Sequence, residues 1–192
     1  LAAYGIESFV AHNDIEPTRE WQEEIENALY TMDVLVALLT EGFQDSSWTD
    51  QEIGFALGRK KQAIAVRMGT DPYGFIGRYQ AVTATWDNAT DGIIKALMKH
   101  EKMIDIYIEL MRKCRSFAKG NSLAEYLPYM ESINNEQAIM MIDVFHDNNQ
   151  VNGSAGFIGD EQNQYGKGLV YHLNRATIKT YEYDDDYKIR EV

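Results

Sequence analysis

The most constraining feature of this sequence is an apolar run without alternation, DVLVALLT at residues 33–40. Side chains on a strand point alternately to the two faces of a sheet, so a strand that is apolar at nearly every position is covered on both faces. Such strands are typical of parallel sheets, because the crossover connections place helices on both faces. The run therefore predicts an open parallel sheet in an α/β fold.

Other segments fit strands of the same sheet. They are IESFVA at residues 6–11, QAIAVR at residues 62–67 and a short edge strand at residues 81–85. Between them, apolar side chains recur at helical spacing, first after Thr18 and again after Ser46 or Ser47, through Gly58. Strands that alternate with helices in this way are typical of βαβ units.

The rest of the chain has a different, mainly helical pattern. The predicted elements are a long amphipathic helix at residues 91–118, shorter helices at residues 121–132, 135–147 and 168–176, and a short strand at residues 179–183. The turn-rich segment at residues 148–168, NNQVNGSAGFIGDEQNQYGKG, predicts a loop or hairpin. We therefore expect two domains, an α/β domain at residues 1–90 and a small, mainly helical module at residues 91–192.

Composition narrows the functional classes. The 192 residues carry 18 basic and 30 acidic side chains, a net charge of -12. The surface as a whole is therefore not expected to attract nucleic acid or an anionic membrane. The positive charge is most concentrated at residues 112–119, and we interpret this cluster as a solvated helix face. The apolar run at residues 34–39 is too short to span a membrane. The single cysteine, Cys114, excludes an internal disulfide and fits the cytoplasm.

A candidate site follows the run at residues 33–40, since parallel sheets bind ligands at the carboxyl ends of their strands. There the sequence SWTDQE opens a predicted helix and places Trp48 and Glu52 four residues apart, on one helix face. We expect the Glu52 carboxylate to stay ionised near the positive end of the helix dipole. A carboxylate beside an aromatic ring suits a sugar carbon that becomes positive as its glycosidic bond breaks. The structural alternative is that Glu52 only complements the dipole and Trp48 only anchors the core.

The segment from Gly5 to about Gln80 resembles the Toll/interleukin-1 receptor (TIR) domain in its bacterial form. The similar parts are the strand IESFVAH, the loop NDIEPTREW at the position of the family's BB loop, the helix QEEIENALYTM, and DVLVALLTEGFQDSSWTDQEIGFALGR. The last segment holds the family's S-x-W-x-x-x-E signature in Ser47, Trp48 and Glu52. The resemblance implies a flavodoxin-like open parallel sheet.

This resemblance implies an enzyme that cleaves the bond between nicotinamide and ribose in NAD, giving nicotinamide and ADP-ribose in linear or cyclic form. It further implies a role in bacterial antiviral defence. The family's catalytic glutamate corresponds to Glu52 and its aromatic residue to Trp48, with Ser47 beside them in the signature. NAD is the substrate, so neither a cofactor nor a metal ion is expected. His12, at the end of the first predicted strand, is a further candidate for substrate contact.

The BB-loop residues Asp14, Ile15 and Pro17 are implied to border the substrate and to meet a neighbouring TIR subunit. The family's self-association runs between this loop and the helix at residues 47–58. The helical module is then a sensing or assembly unit for an unidentified activator. TIR domains begin with a central strand, whereas Leu1 falls at the expected end of the first helix, so we expect this strand to be missing.

Two alternatives remain open. The first is a non-enzymatic TIR scaffold that binds other TIR domains through the same surfaces, with Glu52 idle. The second is an enzyme similar to nucleoside deoxyribosyltransferases, in which a glutamate followed by Gly and Ala on the corresponding helix is a covalent nucleophile. The S-x-W-x-x-x-E signature and the BB-like loop favour the NAD hydrolase.

Overall fold

The computed structural model describes residues 1–10, 21–160, 162 and 164–192. The described residues form two compact units. The first comprises residues 1–2 and 7–96, and the second comprises residues 3–6 and 97–192.

The first unit is built around a parallel sheet. Its main elements are α1 (Trp21–Thr31), β1 (Val34–Thr40), α2 (Ser47–Gly58), β2 (Gln62–Met68), β3 (Val82–Thr83) and α3 (Ala89–Leu97). The strands described in this unit are all parallel and lie in the order β1-β2-β3. In the register, Val34 lies opposite Gln62 and Thr40 lies opposite Met68. The prediction of an open parallel α/β sheet is confirmed.

Helix α2 covers one face of this sheet. Its Ile53 is buried in a cluster with side chains of β1 and β2, among them Leu39 and Ala65. Four successive residues of β2, 63–66, are buried, which shows that this strand is covered on both faces. This two-sided burial is the reason why β2 lacks an alternating pattern.

The predicted strand at residues 6–11 is wrong over its described part. Residues 6–10 form no strand, and Phe9 and Val10 are 41% and 51% exposed. Among the described residues, β1 pairs with β2 alone. A strand exists only where a neighbour takes its backbone hydrogen bonds, and an apolar sequence does not reveal whether that neighbour is present. Ala11 lies outside the described residues.

The second unit is mainly helical. Its elements are α4 (Glu101–Arg112), α5 (Phe117–Ala124), α6 (Asn135–Asp147), α7 (Asn149–Asn152), α8 (Ala155–Ile158), α9 (Gly168–Ala176), β4 (Tyr181–Tyr183) and β5 (Ile189–Glu191). The predicted bounds of α6 and α9 are confirmed. No helix in the described part of the chain is both long and apolar enough to cross a membrane.

The single long helix predicted at residues 91–118 is wrong. Helix α3 ends at Leu97, and α4 begins after His100, whose extended backbone (φ -94°, ψ 129°) breaks the helical path. Met98 and Met103 are both buried on either side of this break. Apolar spacing therefore continues through the turn, which is why periodicity alone does not show the interruption.

The helix predicted at residues 121–132 begins earlier and ends earlier. The Ser116 hydroxyl caps α5 by accepting a 3.2 Å hydrogen bond from the Lys119 backbone N–H. After α5 ends at Ala124, a separate 3₁₀ turn spans Leu127–Tyr129 and holds Pro128 near its start. Proline lacks a backbone N–H and ends the regular helix there.

The turn-rich segment at residues 148–168 is partly helical, contrary to the prediction. Small residues of α5 and of this segment let α5 approach α7 and α8 closely. A Cβ at Gly120 would overlap the Ser154 hydroxyl and lie 2.7 Å from the Gln150 carbonyl oxygen. The buried Ser154 hydroxyl donates to that same carbonyl at 2.6 Å. Tertiary packing thus supports two short helices that weak local propensities do not predict.

The strand predicted at residues 179–183 is present as β4, and it forms an antiparallel hairpin with β5. In the turn, Asp184 Oδ1 accepts hydrogen bonds from the backbone N–H groups of Asp186 and Lys188, at 3.0 and 2.9 Å. The hairpin is also tied to α6, because the Ile189 backbone N–H donates to His146 Nε2 at 2.9 Å.

Candidate functional site

The site is organised by the first turn of α2, which starts after the carboxyl end of β1. Ser46 is the residue that caps the helix; its hydroxyl accepts a 3.4 Å hydrogen bond from the Trp48 backbone N–H. The Thr49 hydroxyl adds a 2.8 Å hydrogen bond to the Ser46 carbonyl. These local bonds define where the helix begins, and so place Ser47, Trp48 and Glu52 near the carboxyl edge of the sheet.

Trp48 and Glu52 belong to one stripe along α2 that continues through Phe55 and Arg59 at helical spacing. The far end of the stripe contacts α1. The Phe55 ring meets the Tyr30 ring edge-on at 5.2 Å between centroids, and Arg59 donates to the Tyr30 carbonyl at 2.8 Å. The candidate carboxylate therefore lies on the side of α2 that turns toward α1.

Glu52 is half-buried, and burial raises the pKa of its carboxyl group. This direction is opposite to the one expected from the helix dipole. The dipole acts mainly within the first turn, whereas Glu52 is the sixth residue of α2. Within the described part of the chain, no hydrogen bond or ion pair reaches its carboxylate to offset the loss of water. A half-buried acid with a shifted pKa near a strand edge is the type of group that active sites use.

A second loop joins the start of α2. It follows β2 and holds the sequence DPYG at residues 71–74, and the Tyr73 hydroxyl donates a 2.7 Å hydrogen bond to Asp50 Oδ1. The Tyr73 ring also meets Phe43, in the loop after β1, at 6.4 Å between centroids. Partial burial, and then the neighbouring Asp50 carboxylate, raise the pKa of Tyr73. Tyr73 therefore connects the loops after β1 and β2 to α2 at Asp50, two residues before Glu52.

Asp50 and Tyr73 were not among the site residues predicted from the sequence. The available signal was a tyrosine in a tight turn at the carboxyl end of a strand. A loop that follows a parallel strand lies at the carboxyl edge of the sheet, where the neighbouring loop and helix also begin. The identity of its partner depends on how α2 packs, which spacing along the chain does not show.

His12, predicted to contact the substrate, and the predicted BB-loop residues Asp14, Ile15 and Pro17 lie outside the described residues. The structure brings together Ser47, Trp48 and Glu52 on α2 and adds Asp50 and Tyr73. In the part of the chain that is described, no group of three or more His, Cys, Asp or Glu side chains is placed to hold a metal ion.

The same edge of the sheet carries an arginine. Arg67, near the end of β2, pairs with Asp71 at 2.6 Å and lines a cavity of about 550 Å³ with Thr83 of β3. Both partners of the pair are exposed, so water screens the attraction between them. Asp71 therefore holds the guanidinium of Arg67 only weakly.

The fold and the site define an open parallel α/β domain with a carboxylate and an aromatic residue at the carboxyl edge of its sheet. A family model described as the TIR domain matches residues 1–98 of the 192. The chain therefore belongs to the TIR domain family, in agreement with the resemblance of the segment from Gly5 to Gln80. No match was found among curated proteins or among solved structures. The TIR family includes NAD-cleaving enzymes.

Proposed function

We propose that this protein is an NAD hydrolase that cleaves the bond between nicotinamide and ribose, giving nicotinamide and ADP-ribose or its cyclic form. The observation that carries the proposal is the position of Glu52. Its carboxylate is half-buried at the carboxyl edge of a parallel sheet, one helical turn after Trp48, and it is unpaired within the described residues. Membership in a family that includes NAD-cleaving enzymes supports the same conclusion.

In the proposed reaction, the bond between ribose C1′ and the nicotinamide nitrogen breaks, and its electron pair leaves with nicotinamide, which becomes neutral. Positive charge develops on C1′ and the ring oxygen of the ribose. The Glu52 carboxylate stabilises this charge. A water molecule then adds to C1′ and loses a proton, which yields ADP-ribose.

Partial burial makes Glu52 more effective in this role. A carboxylate that has lost part of its water interacts more strongly with a developing cation than a fully hydrated one does. The substrate also carries a positive charge on its nicotinamide ring. That charge favours the ionised form of the neighbouring carboxyl group, and so counteracts the burial that raises the pKa of Glu52 in the free protein.

Trp48 supplies the second part of the site. Its side chain is 36% exposed, so part of its surface is open to solvent on the same helix face as Glu52. An indole ring attracts a cationic ring through its π-system. We assign Trp48 to the binding of nicotinamide and ribose, with Ser47 at the rim of the site.

We also propose how the site is assembled and where in the cell the reaction takes place. TIR domains commonly self-associate, and we propose that self-association between the BB loop, including Asp14, Ile15 and Pro17, and α2 completes the site, with His12 beside the substrate. The helical unit would then respond to an activator. The buried free thiol of Cys114 is consistent with a reducing cytoplasm, where we place a role in antiviral signalling.

The decisive experiment measures NAD loss and nicotinamide release by the full-length protein and by Glu52→Gln. We expect equal amounts of NAD lost and nicotinamide formed, and a decrease in rate of about 10²–10³-fold in the variant. Glu23→Gln is the matched control, because Glu23 is an exposed glutamate in the first turn of α1. Its rate should stay within about twofold of the wild type.

Two outcomes would redirect the assignment. If NAD remains intact even when the protein is fused to an oligomeric scaffold, the hydrolase proposal is wrong and a scaffold role takes its place. If the protein instead exchanges the bases of deoxynucleosides in a Glu52-dependent reaction, the site belongs to a deoxyribosyltransferase-like enzyme.

A further inference from the structure

The helical unit contains a groove of about 480 Å³ between the end of α4, the loop before α5, the end of α6 and the start of α7. Its lining combines several kinds of polar groups with an apolar wall. They are the guanidinium groups of Arg112 and Arg115, the amides of Asn149 and Gln150, the Asp147 carboxylate and the buried Val144. This volume lies within the usual range for small-molecule sites, roughly 300–1,000 Å³.

The walls of this groove are held in place by Asn148. Its side-chain amide donates to the carbonyl oxygens of Met111, Arg112 and Cys114, at 3.0, 3.4 and 3.2 Å. Its side-chain oxygen accepts from the Gln150 backbone N–H at 2.9 Å. One side chain therefore joins the end of α4 to the start of α7, and a ligand would meet a preformed site.

The two arginines keep donors available for a ligand. Arg112 pairs with Glu109 at 3.1 Å, and both partners are exposed, so the pair is weak and exchangeable. Arg115 uses one terminal nitrogen, Nη1, to donate to the carbonyls of Arg112 and Cys114 at 3.3 and 3.4 Å. Each guanidinium has five N–H donors. These bonds orient Arg115, and its other donors have no partner among the described residues and can bind an anion.

The local charge favours an anion as well. Residues 112–119 hold four basic and no acidic side chains in a chain whose net charge is -12. Guanidinium groups bind phosphate through paired, charge-assisted hydrogen bonds. The Asp147 carboxylate and the amides of Asn149 and Gln150 can pair with hydroxyl and amino groups, which a simple inorganic anion lacks.

We propose that this groove binds a nucleoside phosphate, with its phosphates on Arg112 and Arg115 and its sugar or base on Asp147, Asn149 and Gln150. A small ligand fits better than a nucleic acid strand. The attraction is confined to one cluster, while the remaining surface of this acidic chain repels a long polyanion. The site lies in the helical unit and does not depend on the function proposed for Glu52.

The test is titration calorimetry of the full-length protein with ATP, inorganic tripolyphosphate, adenosine and a short oligothymidylate. We expect ATP to bind most tightly, and Arg112→Gln/Arg115→Gln to weaken ATP binding at least tenfold. Lys99→Gln is the matched control, because Lys99 is an exposed lysine of the same unit in an ion pair with Glu131. It should change ATP affinity less than twofold.

Further variants distinguish binding in this groove from binding elsewhere on the protein. Arg112→Gln alone keeps the Arg115 bonds to the backbone carbonyls of residues 112 and 114. It should still weaken ATP binding if the fold is intact by circular dichroism. Asn149→Ala/Gln150→Ala should weaken ATP binding more than tripolyphosphate binding.

Three results would overturn the proposal. The first is that ATP does not bind at millimolar concentration. The second is that ATP binding persists in the double arginine variant. The third is that the oligonucleotide binds more tightly than ATP and that its binding depends on the two arginines. Equal affinity for ATP and tripolyphosphate would reduce the site to a phosphate site and contradict the part of the proposal that concerns the nucleoside.

Discussion

The Tyr73 hydroxyl donates a 2.7 Å hydrogen bond to Asp50 Oδ1 and so joins the loop after β2 to the first turns of α2. The bond lies two residues before Glu52 and adds to the packing of Ile76, from the same loop, in the cluster that holds Ile53 of α2. It is therefore one contact through which the loop after β2 can influence the position of the candidate carboxylate.

Tyr73→Phe should remove this bond and keep the ring contact with Phe43. We expect a loss of about 0.5–1.5 kcal/mol in the free energy of unfolding, measured by urea denaturation. In a double-mutant cycle with Asp50→Asn, the two effects should not add. Tyr187→Phe is the control, since Tyr187 is 82% exposed in the hairpin turn; equal losses at the two tyrosines would show that the bond contributes nothing.

Trp48→Ala should lower kcat/KM for NAD by at least tenfold, because the indole that we assign to the nicotinamide ring is removed. Trp48→Phe should recover part of the loss, since phenylalanine keeps an aromatic face. Tyr187→Ala removes an aromatic ring of similar size from an exposed position and should leave kcat/KM unchanged. An unchanged kcat/KM in Trp48→Ala would exclude this residue from the site.

Glu52→Gln should be more stable than the wild type near neutral pH, while it loses activity. Burial raises the pKa of Glu52 in the folded state above its unfolded value, so the folded state binds the proton more tightly. The resulting stabilisation is complete below the unfolded pKa and is lost as the pH rises through the folded pKa. Glutamine does not ionise, so the Glu52→Gln variant does not lose this stabilisation as the pH rises.

The measurement is the melting temperature of both proteins at stepwise lower pH. The advantage of Glu52→Gln, below about 1 kcal/mol, should shrink as the pH falls through the pKa of Glu52. A difference that stays constant with pH would mean that ionisation of Glu52 is not responsible.

Gly120→Ala should destabilise the helical unit by about 1–3 kcal/mol, because the new Cβ would overlap the Ser154 hydroxyl and force α5 away from α7. Gly54→Ala is the matched change inside α2, where a Cβ meets nothing within 4 Å. There, the better helix propensity of alanine should stabilise the protein by about 0.5–1 kcal/mol. Thermal unfolding of both variants checks the contrast, and a stabilised Gly120→Ala would show that close packing does not require the glycine.

Elements with strong local signals were predicted well. The run at residues 33–40 and the segment at residues 62–67 became β1 and β2, and a serine before the tryptophan caps α2, as expected. The failures at residues 6–10 and 91–118 have in common that the apolar pattern does not show them. Strand pairing depends on neighbours that are distant in sequence, and apolar spacing continues through the break at His100.

The sequence by itself determined the parallel α/β class of the first unit and the placement of Trp48 and Glu52 on one face of a single helix, because both follow from spacing along the chain. Only the tertiary structure decided that burial would raise the pKa of Glu52, that Tyr73 would reach Asp50, and that Asn148 would close the end of α4. Each of these depends on which elements pack together and exclude water, and the spacing of residues along the chain does not show this.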